Sequence, residues 1–148
     1  KAIGNSASAN IPAKGKYMFA DIIRYAKRYG LDYDFNPHFP INTLNLMRGA
    51  VGMMGDERFV DFNDVVFKSI WRDKMNMGDP ETVKKVIEKG GFDFNKIYAL
   101  SNDQSVKDDL KKRTGDAVEK GLFGAPTMFL DNEMYWGQDR IFMIEENL

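Results

Sequence analysis

Two short stretches near the C-terminus carry residue types that can hold a peptide-like ligand. The first is Ala125-Pro126, inside the run Gly121-Leu-Phe-Gly-Ala-Pro-Thr127. Proline cannot donate to a sheet ladder, so Pro126 belongs at a strand start. An ordinary trans loop proline satisfies that position. A cis proline satisfies it too and would turn the Ala125 backbone toward an extended ligand; the placement directly before a strand makes cis the expectation to test. The second stretch is Gln138-Asp139, within Trp136-Gly-Gln-Asp-Arg140. Asp139 is expected as the N-cap of a helix carrying Ile141, Met143 and Ile144. Free N–H groups at a helix start favour a carboxylate, and a neighbouring Asp accepts an ammonium group. Together they suit the zwitterionic end of an amino acid, although a plain capping Asp accounts for the same residues.

Other candidates have simpler explanations. Lys14, before Gly15 and an expected helix start, can hold a carboxylate, but it is one of 21 basic residues. Arg48 can clamp an anion or serve a solvated helix face or an ion pair. His38, between Pro37 and Phe39, reads as a loop-packing residue. It is the single His in a chain with no Cys. Disulfides, zinc–thiolate sites, a thiol nucleophile and multi-histidine metal sites are therefore excluded within these residues. No residue of the chain reads as catalytic, and none as a metal ligand.

The elements that must position these residues follow from periodicity. Residues 1–15 have turn chemistry and read as a loop. From Lys16, the residues Phe19, Ile22, Ile23, Ala26 and Tyr29 follow helical spacing up to a stop at Gly30. Pro37 and Pro40 force extended backbone before them. Asn42 or Thr43 caps a helix with Leu44, Met47, Val51 and Met54 on one stripe. Asp56 opens another, with Phe59, Phe62, Val66 and Ile70 inward and Trp71 at its flank. Asp79-Pro80-Glu81 is a strong helix start, with Val83, Val86 and Ile87 as its apolar face and Gly90-Gly91 as its stop. A short helix follows Asp93, and a longer one runs from Asn102 or Asp103 to Gly121. The aromatic residues fit core positions, and their number hints at an aromatic-lined pocket.

Residues 16–120 thus form a helical block and residues 121–148 a separate C-terminal part: proline, hairpin, helix. The hairpin pairs Thr127–Asp131 with Glu133–Trp136 across a turn at Asp131-Asn132. Met128 and Leu130 alternate with Thr127 and Phe129, the pattern of a strand buried on both faces. Two strands alone are marginal in water, and no other stretch reads as a strand. The sequence is therefore expected to begin inside a larger protein, with a βαβ unit upstream. An unpartnered hairpin is expected to pair with another chain or to be rearranged. The order of elements is that of an α/β, thioredoxin-like domain with a large helical insertion.

Composition narrows the function classes. Of the 148 residues, 43% are hydrophobic, enough for a sizeable core. Lys and Arg number 21 against 22 Asp and Glu, a formal net charge of −1, so no basic excess draws nucleic acid. No stretch approaches the ~18 apolar residues of a membrane span.

Several blocks together resemble a known family. Gly121-Leu-Phe-Gly-Ala-Pro-Thr127 with Trp136-Gly-Gln-Asp-Arg140 is similar to the C-terminal signature of the 2-hydroxychromene-2-carboxylate isomerases and the kappa-class glutathione transferases. Asn36-Pro-His-Phe-Pro-Ile-Asn-Thr-Leu44 with Leu46-Met-Arg-Gly-Ala50 resembles the isomerase branch more than the transferase branch. Gly4-Asn5 and Pro12-Ala-Lys-Gly-Lys-Tyr-Met18 look like the family's loop and first insertion helix. The resemblance spans nearly the whole chain and implies the DsbA-like branch of the thioredoxin superfamily.

It also implies a glutathione site. Asn5 and Lys14 would reach glutathione from the loop side. Ala125, beside a cis Pro126, would pair its backbone with the cysteinyl part, and Gln138 and Asp139 would take the γ-glutamyl end. Transferases of this family often carry Ser, and some isomerases Asn, where this chain has Gln138. The family's catalytic Ser lies in a Ser-Pro-Tyr type motif upstream of the residues given. The implied activity is isomerisation of a small aromatic carboxylate through a glutathione thiolate, in a cytoplasmic homodimer. Alternatives are a kappa-class-like transferase, a dithiol–disulfide oxidoreductase if Cys-x-x-Cys stands upstream, and a non-catalytic glutathione- or peptide-binding module. The insertion would line the acceptor pocket, with Arg48 as a carboxylate partner.

Overall fold

The computed structural model describes residues 11–148. The chain divides into two compact units, and among the described residues the division falls between Lys112 and Arg113. The first unit is helical: α1 (Pro12–Arg28), α2 (Leu44–Gly52), α3 (Phe59–Trp71), α4 (Pro80–Lys89) and α5 (Phe94–Asn102), followed by most of α6 (Gln104–Glu119). The second contains β1 (Thr127–Leu130), β2 (Glu133–Trp136), a 3-10 turn (Gln138–Arg140) and α7 (Ile141–Glu145).

Helix starts follow the sequence closely where a side chain can cap. Asp79 accepts from the Thr82 backbone N–H at 2.9 Å and from its hydroxyl at 2.7 Å, with Pro80 as the first helical residue. Asp93 accepts from Asn95 and Lys96, and Asp103 from Ser105 and Val106. The first helix is a correction. It begins at Pro12 rather than Lys16, because proline's fixed φ and lack of an N–H suit the first helical position. Residues 12–15 are therefore helix and not loop.

The core of the helical unit joins Met53, Phe62, Ile87, Phe92 and Ile97, and a second cluster joins Leu46, Ile70 and Met77. Phe62 is fully buried, its ring edge-on to Phe92 at 5.5 Å. On α2 the inward stripe differs from expectation. Leu46, Gly49 and Met53 are buried, whereas Leu44, Met47 and Met54 are exposed. The helix is apolar on more than one side, and its two glycines decide which side packs. A Cβ on Gly52 would lie 2.8 Å from Leu100, and one on Gly49 would lie 3.1 Å from Ile97. Only that face lets α5 approach this closely. On α1, Ile23 and Tyr29 are likewise exposed, while Phe19, Ile22 and Ala26 are half-buried.

The loop between α1 and α2 is tied down by one residue that periodicity does not mark. Asn36 is fully buried. Its Nδ2 donates to the carbonyls of Ile70 and Met75, both at 2.9 Å, and its Oδ1 accepts from the His38 backbone N–H at 2.9 Å. His38 itself is exposed, so the expected packing role belongs to Asn36 two residues earlier. Arg58 does similar work at the end of α4. It donates to the carbonyls of Gly90 and Gly91 and lies 4.0 Å over the Phe92 ring.

In the second unit, β1 and β2 pair antiparallel, Met128 opposite Tyr135 and Phe129 opposite Met134. Asp131 and Asn132 both take positive φ, 48° and 68°, as a two-residue turn of this hand requires. No residue of the hairpin is fully buried, and Phe129 and Trp136 are about half exposed. The burial on both faces that the β1 pattern predicted is not found within this chain.

Candidate functional site

Pro126 stands immediately before β1, and the Ala125–Pro126 bond is cis, as expected. Phe39–Pro40 is cis as well, which the sequence reading did not foresee. Ala125 is exposed, and among the described residues its N–H and C=O take part in no backbone hydrogen bond. The flanking groups are occupied. Thr127 Oγ1 donates to the Gly124 carbonyl at 2.6 Å, and the Gly137 N–H donates to the Pro126 carbonyl at 3.0 Å. That second bond continues the hairpin ladder by one step. It draws Gln138 and Asp139 to the same end of the hairpin as Ala125.

The indole of Trp136 packs on this loop, 5.0 Å from the Phe123 ring and tight against Gly124, where a Cβ would overlap it. The hairpin is thereby locked to the loop that precedes it. On β2, Tyr135 donates to Glu133 at 3.0 Å. That bond, with partial burial and the nearby carboxylates, raises the tyrosine pKa.

Asp139 is not an N-cap. Gly137, at φ 103°, turns the chain directly into the 3-10 turn, and α7 begins only at Ile141 without a side-chain cap. The Asp139 carboxylate instead accepts from Arg140 Nη1 at 2.7 Å and stays partly exposed. A helix of five residues adds little dipole. Affinity for an ammonium group at this point would come from the carboxylate charge rather than from capping geometry.

Lys14 lies in the first turn of α1, exposed, in the helical unit. Ala125, Pro126, Gln138 and Asp139 all belong to the C-terminal unit. Asn5 lies outside the described residues. Arg48 is half-buried on α2 and donates to Asn45 at 3.3 Å.

The helical unit holds an apolar cleft of about 280 Å³, which the number of aromatic residues had hinted at. Phe39, Met47, Phe67 and Trp71 form part of its wall, and Arg48 does not. The Phe39 and Trp71 rings lie 5.7 Å apart, and Tyr33 stacks with Trp71 at 6.0 Å. Among the described residues no group of carboxylates and His could hold a metal ion, and no helix is long and apolar enough to cross a membrane.

Comparison with known proteins places this architecture. A family model described as a DSBA-like thioredoxin domain matches residues 1–148. The chain is 30% identical over 146 residues to a 2-hydroxychromene-2-carboxylate isomerase of Pseudomonas putida, spanning 97% of this chain and 71% of that protein. It is 27% identical over 155 residues to glutathione S-transferase kappa 1 of Rattus norvegicus, spanning 95% and 69%. The solved structure of a 2-hydroxychromene-2-carboxylate isomerase superposes with a TM-score of 0.81 at 26% identity, over 97% of this chain and 70% of that one. A helical block followed by cis proline, hairpin and short helix is thus a DsbA-like thioredoxin fold, and the chain belongs to the DSBA-like thioredoxin-domain family, among the relatives of the 2-hydroxychromene-2-carboxylate isomerases.

Proposed function

We propose that the protein is a glutathione-dependent isomerase of the 2-hydroxychromene-2-carboxylate isomerase type. The observation that carries this reading is kinship with three such isomerases across nearly the whole chain. The Ala125 backbone beside Pro126, exposed and without a backbone hydrogen bond among the described residues, supports a peptide-like ligand, because a free N–H and C=O can add the ligand backbone as one more ladder step. Bound glutathione would supply a thiolate that adds reversibly to a conjugated aromatic acid, permits bond rotation and ring opening, and leaves.

The chain's own part is to bind and orient. Ala125 pairs with the cysteinyl backbone. The Gln138 amide donates to the γ-glutamyl carboxylate, and Asp139 accepts its ammonium group. By resemblance alone, Asn5 and Lys14 are further candidate glutathione contacts. The role of stabilising the thiolate falls, by resemblance, to a Ser in a Ser-Pro-Tyr motif preceding these residues. A homodimer in the cytoplasm belongs to the same reading. The test is calorimetric titration of glutathione into the protein expressed from its full reading frame. Saturable binding is expected, and no binding at millimolar glutathione would remove the basis of the proposal.

A further inference from the structure

A groove on the helical unit runs between the C-terminal half of α3, the segment after it and the second half of α4, all within residues 65–90. We infer that it binds a soluble organic phosphate monoester, a dianionic phosphate on a compact apolar body. The groove shares no residue with the apolar cleft and none with the glutathione contacts proposed above.

Charge is the first observation. Lys68 and Arg72 line the groove from the end of α3, and Lys85 and Lys89 line it from α4. Each pair is four residues apart, the spacing that puts two side chains on one helix face. Two of the four cations are already neutralised. Lys68 pairs with Asp64 at 2.6 Å, and Arg72 donates to both carboxylate oxygens of Asp73 at 2.7 and 2.9 Å. Lys85 and Lys89 form no ion pair among the described residues. Two positive charges are left over, which a phosphate monoester dianion balances and a carboxylate does not. The Arg72 hydrogen bond lowers the Asp73 pKa, and the charges of Lys89 and Lys68 lower it further, so cations of both helices act on one point. Acceptors that would repel an anion are engaged elsewhere. The Met75 carbonyl accepts from Asn36 at 2.9 Å, and the Gly90 carbonyl from Arg58 at 3.3 Å. The second observation is the apolar floor. Val65 and Val86 are half-buried, and Met75 is left 37% exposed. The groove encloses about 350 Å³, within the ~300–1,000 Å³ of small-molecule sites. Lysine holds phosphate as a point charge, and the floor offers cover to an organic body that inorganic phosphate lacks.

The experiment uses hexyl phosphate as the probe, with heptanoate and inorganic phosphate as comparisons, at about pH 8, where the phosphates are dianions. The protein carries ¹³C-methyl methionine. Hexyl phosphate is expected to shift the Met75 methyl resonance saturably, with the methyls of Met47 and Met143 unmoved. Heptanoate, one charge short, and inorganic phosphate, with no apolar body, are each expected to bind about tenfold more weakly. Replacing the exposed Lys85 and Lys89 together with Gln should weaken hexyl phosphate by about tenfold or more. Lys84→Gln, the same change of charge on α4 but outside the groove, should leave binding as it is. Vesicles of phosphatidylcholine with phosphatidate should leave the protein in the supernatant. Four results would each overturn the inference. These are no Met75 shift at millimolar hexyl phosphate, equal binding of heptanoate or inorganic phosphate, a loss with Lys84→Gln as large as with the double variant, and protein that pellets with the vesicles, which would make a membrane headgroup the ligand.

Discussion

Replacing Asn36 with Ala should loosen the whole helical unit, although the residue belongs to no helix. Its side chain makes three hydrogen bonds, to the Ile70 carbonyl, the Met75 carbonyl and the His38 N–H. Each such bond contributes about 1 kcal/mol net, and a buried partner left unsatisfied costs about 1–3 kcal/mol. The Ile70 carbonyl is the deepest of the three, so a total loss of about 3–4 kcal/mol is expected. With a urea dependence of about 2 kcal/mol per molar, the unfolding midpoint should fall by about 1.5–2 M. The assay is urea unfolding followed by far-UV circular dichroism. Asn36→Asp keeps the acceptor for His38 but turns two donors into acceptors facing carbonyls, so it should be at least as damaging at neutral pH. A drop below about 0.5 M for Asn36→Ala, or an Asn36→Asp protein as stable as wild type, would refute the claim that this side chain fastens the loop to the end of α3.

Acid should destabilise the helical unit first. Hydrogen bonds from the Thr82 side chain, then its backbone, hold the Asp79 pKa below the ordinary carboxylate value, and Asp34, Asp56, Asp73 and Asp103 are lowered by their own partners. A lowered folded pKa means stability that is present above the unfolded value and lost as pH falls through the folded one. Unfolding should therefore set in below about pH 4. Asp79→Asn should flatten that acid limb, and a stability unchanged from pH 5 to pH 2.5 would contradict the assignment. Gly124→Ala should disturb the C-terminal unit alone, because its Cβ would strike the Trp136 indole. A blue or red shift of Trp136 emission in a Trp71→Phe background should report it, and an unchanged spectrum with unchanged stability would count against the packing described.

The helical block was legible because its starts are chemically marked. Asp79-Pro80, Asp93 and Asp103 carry capping oxygens, and Gly30 and Gly91 end helices at positive φ. Pro12 is a mark of the same kind, masked in the sequence by the turn-forming Gly4, Asn5, Ser6, Ser8 and Asn10 before it, which read as loop. Burial was less legible on α2, where nearly every position is apolar. Periodicity cannot choose a face there; the small residues Gly49 and Gly52 choose it by admitting α5. Asn36 carried no signal in a pattern of apolar spacing, since a buried amide looks like any loop asparagine until its three partners are seen. At the candidate site, Pro126 at a strand start was readable from its missing N–H. The expected Asp139 cap failed because Gly137 takes the N-cap position of a 3-10 turn that already contains Asp139. The cleft was foreshadowed only by the number of aromatic residues. Its walls come from three separate stretches that folding alone assembles.

The measurement that bears most directly on the proposed function is glutathione affinity of the full-frame protein, wild type against Asp139→Asn, by calorimetry. The substitution keeps the size and a hydrogen-bond acceptor at position 139 but removes the charge that an ammonium group needs. Charge-assisted hydrogen bonds contribute ~1.5–3 kcal/mol, so glutathione should bind the wild type saturably and the variant roughly tenfold or more weakly. Equal affinity of the two proteins would show that Asp139 does not hold the γ-glutamyl group, and the lack of any binding to the wild type at millimolar glutathione would contradict a glutathione-dependent enzyme altogether.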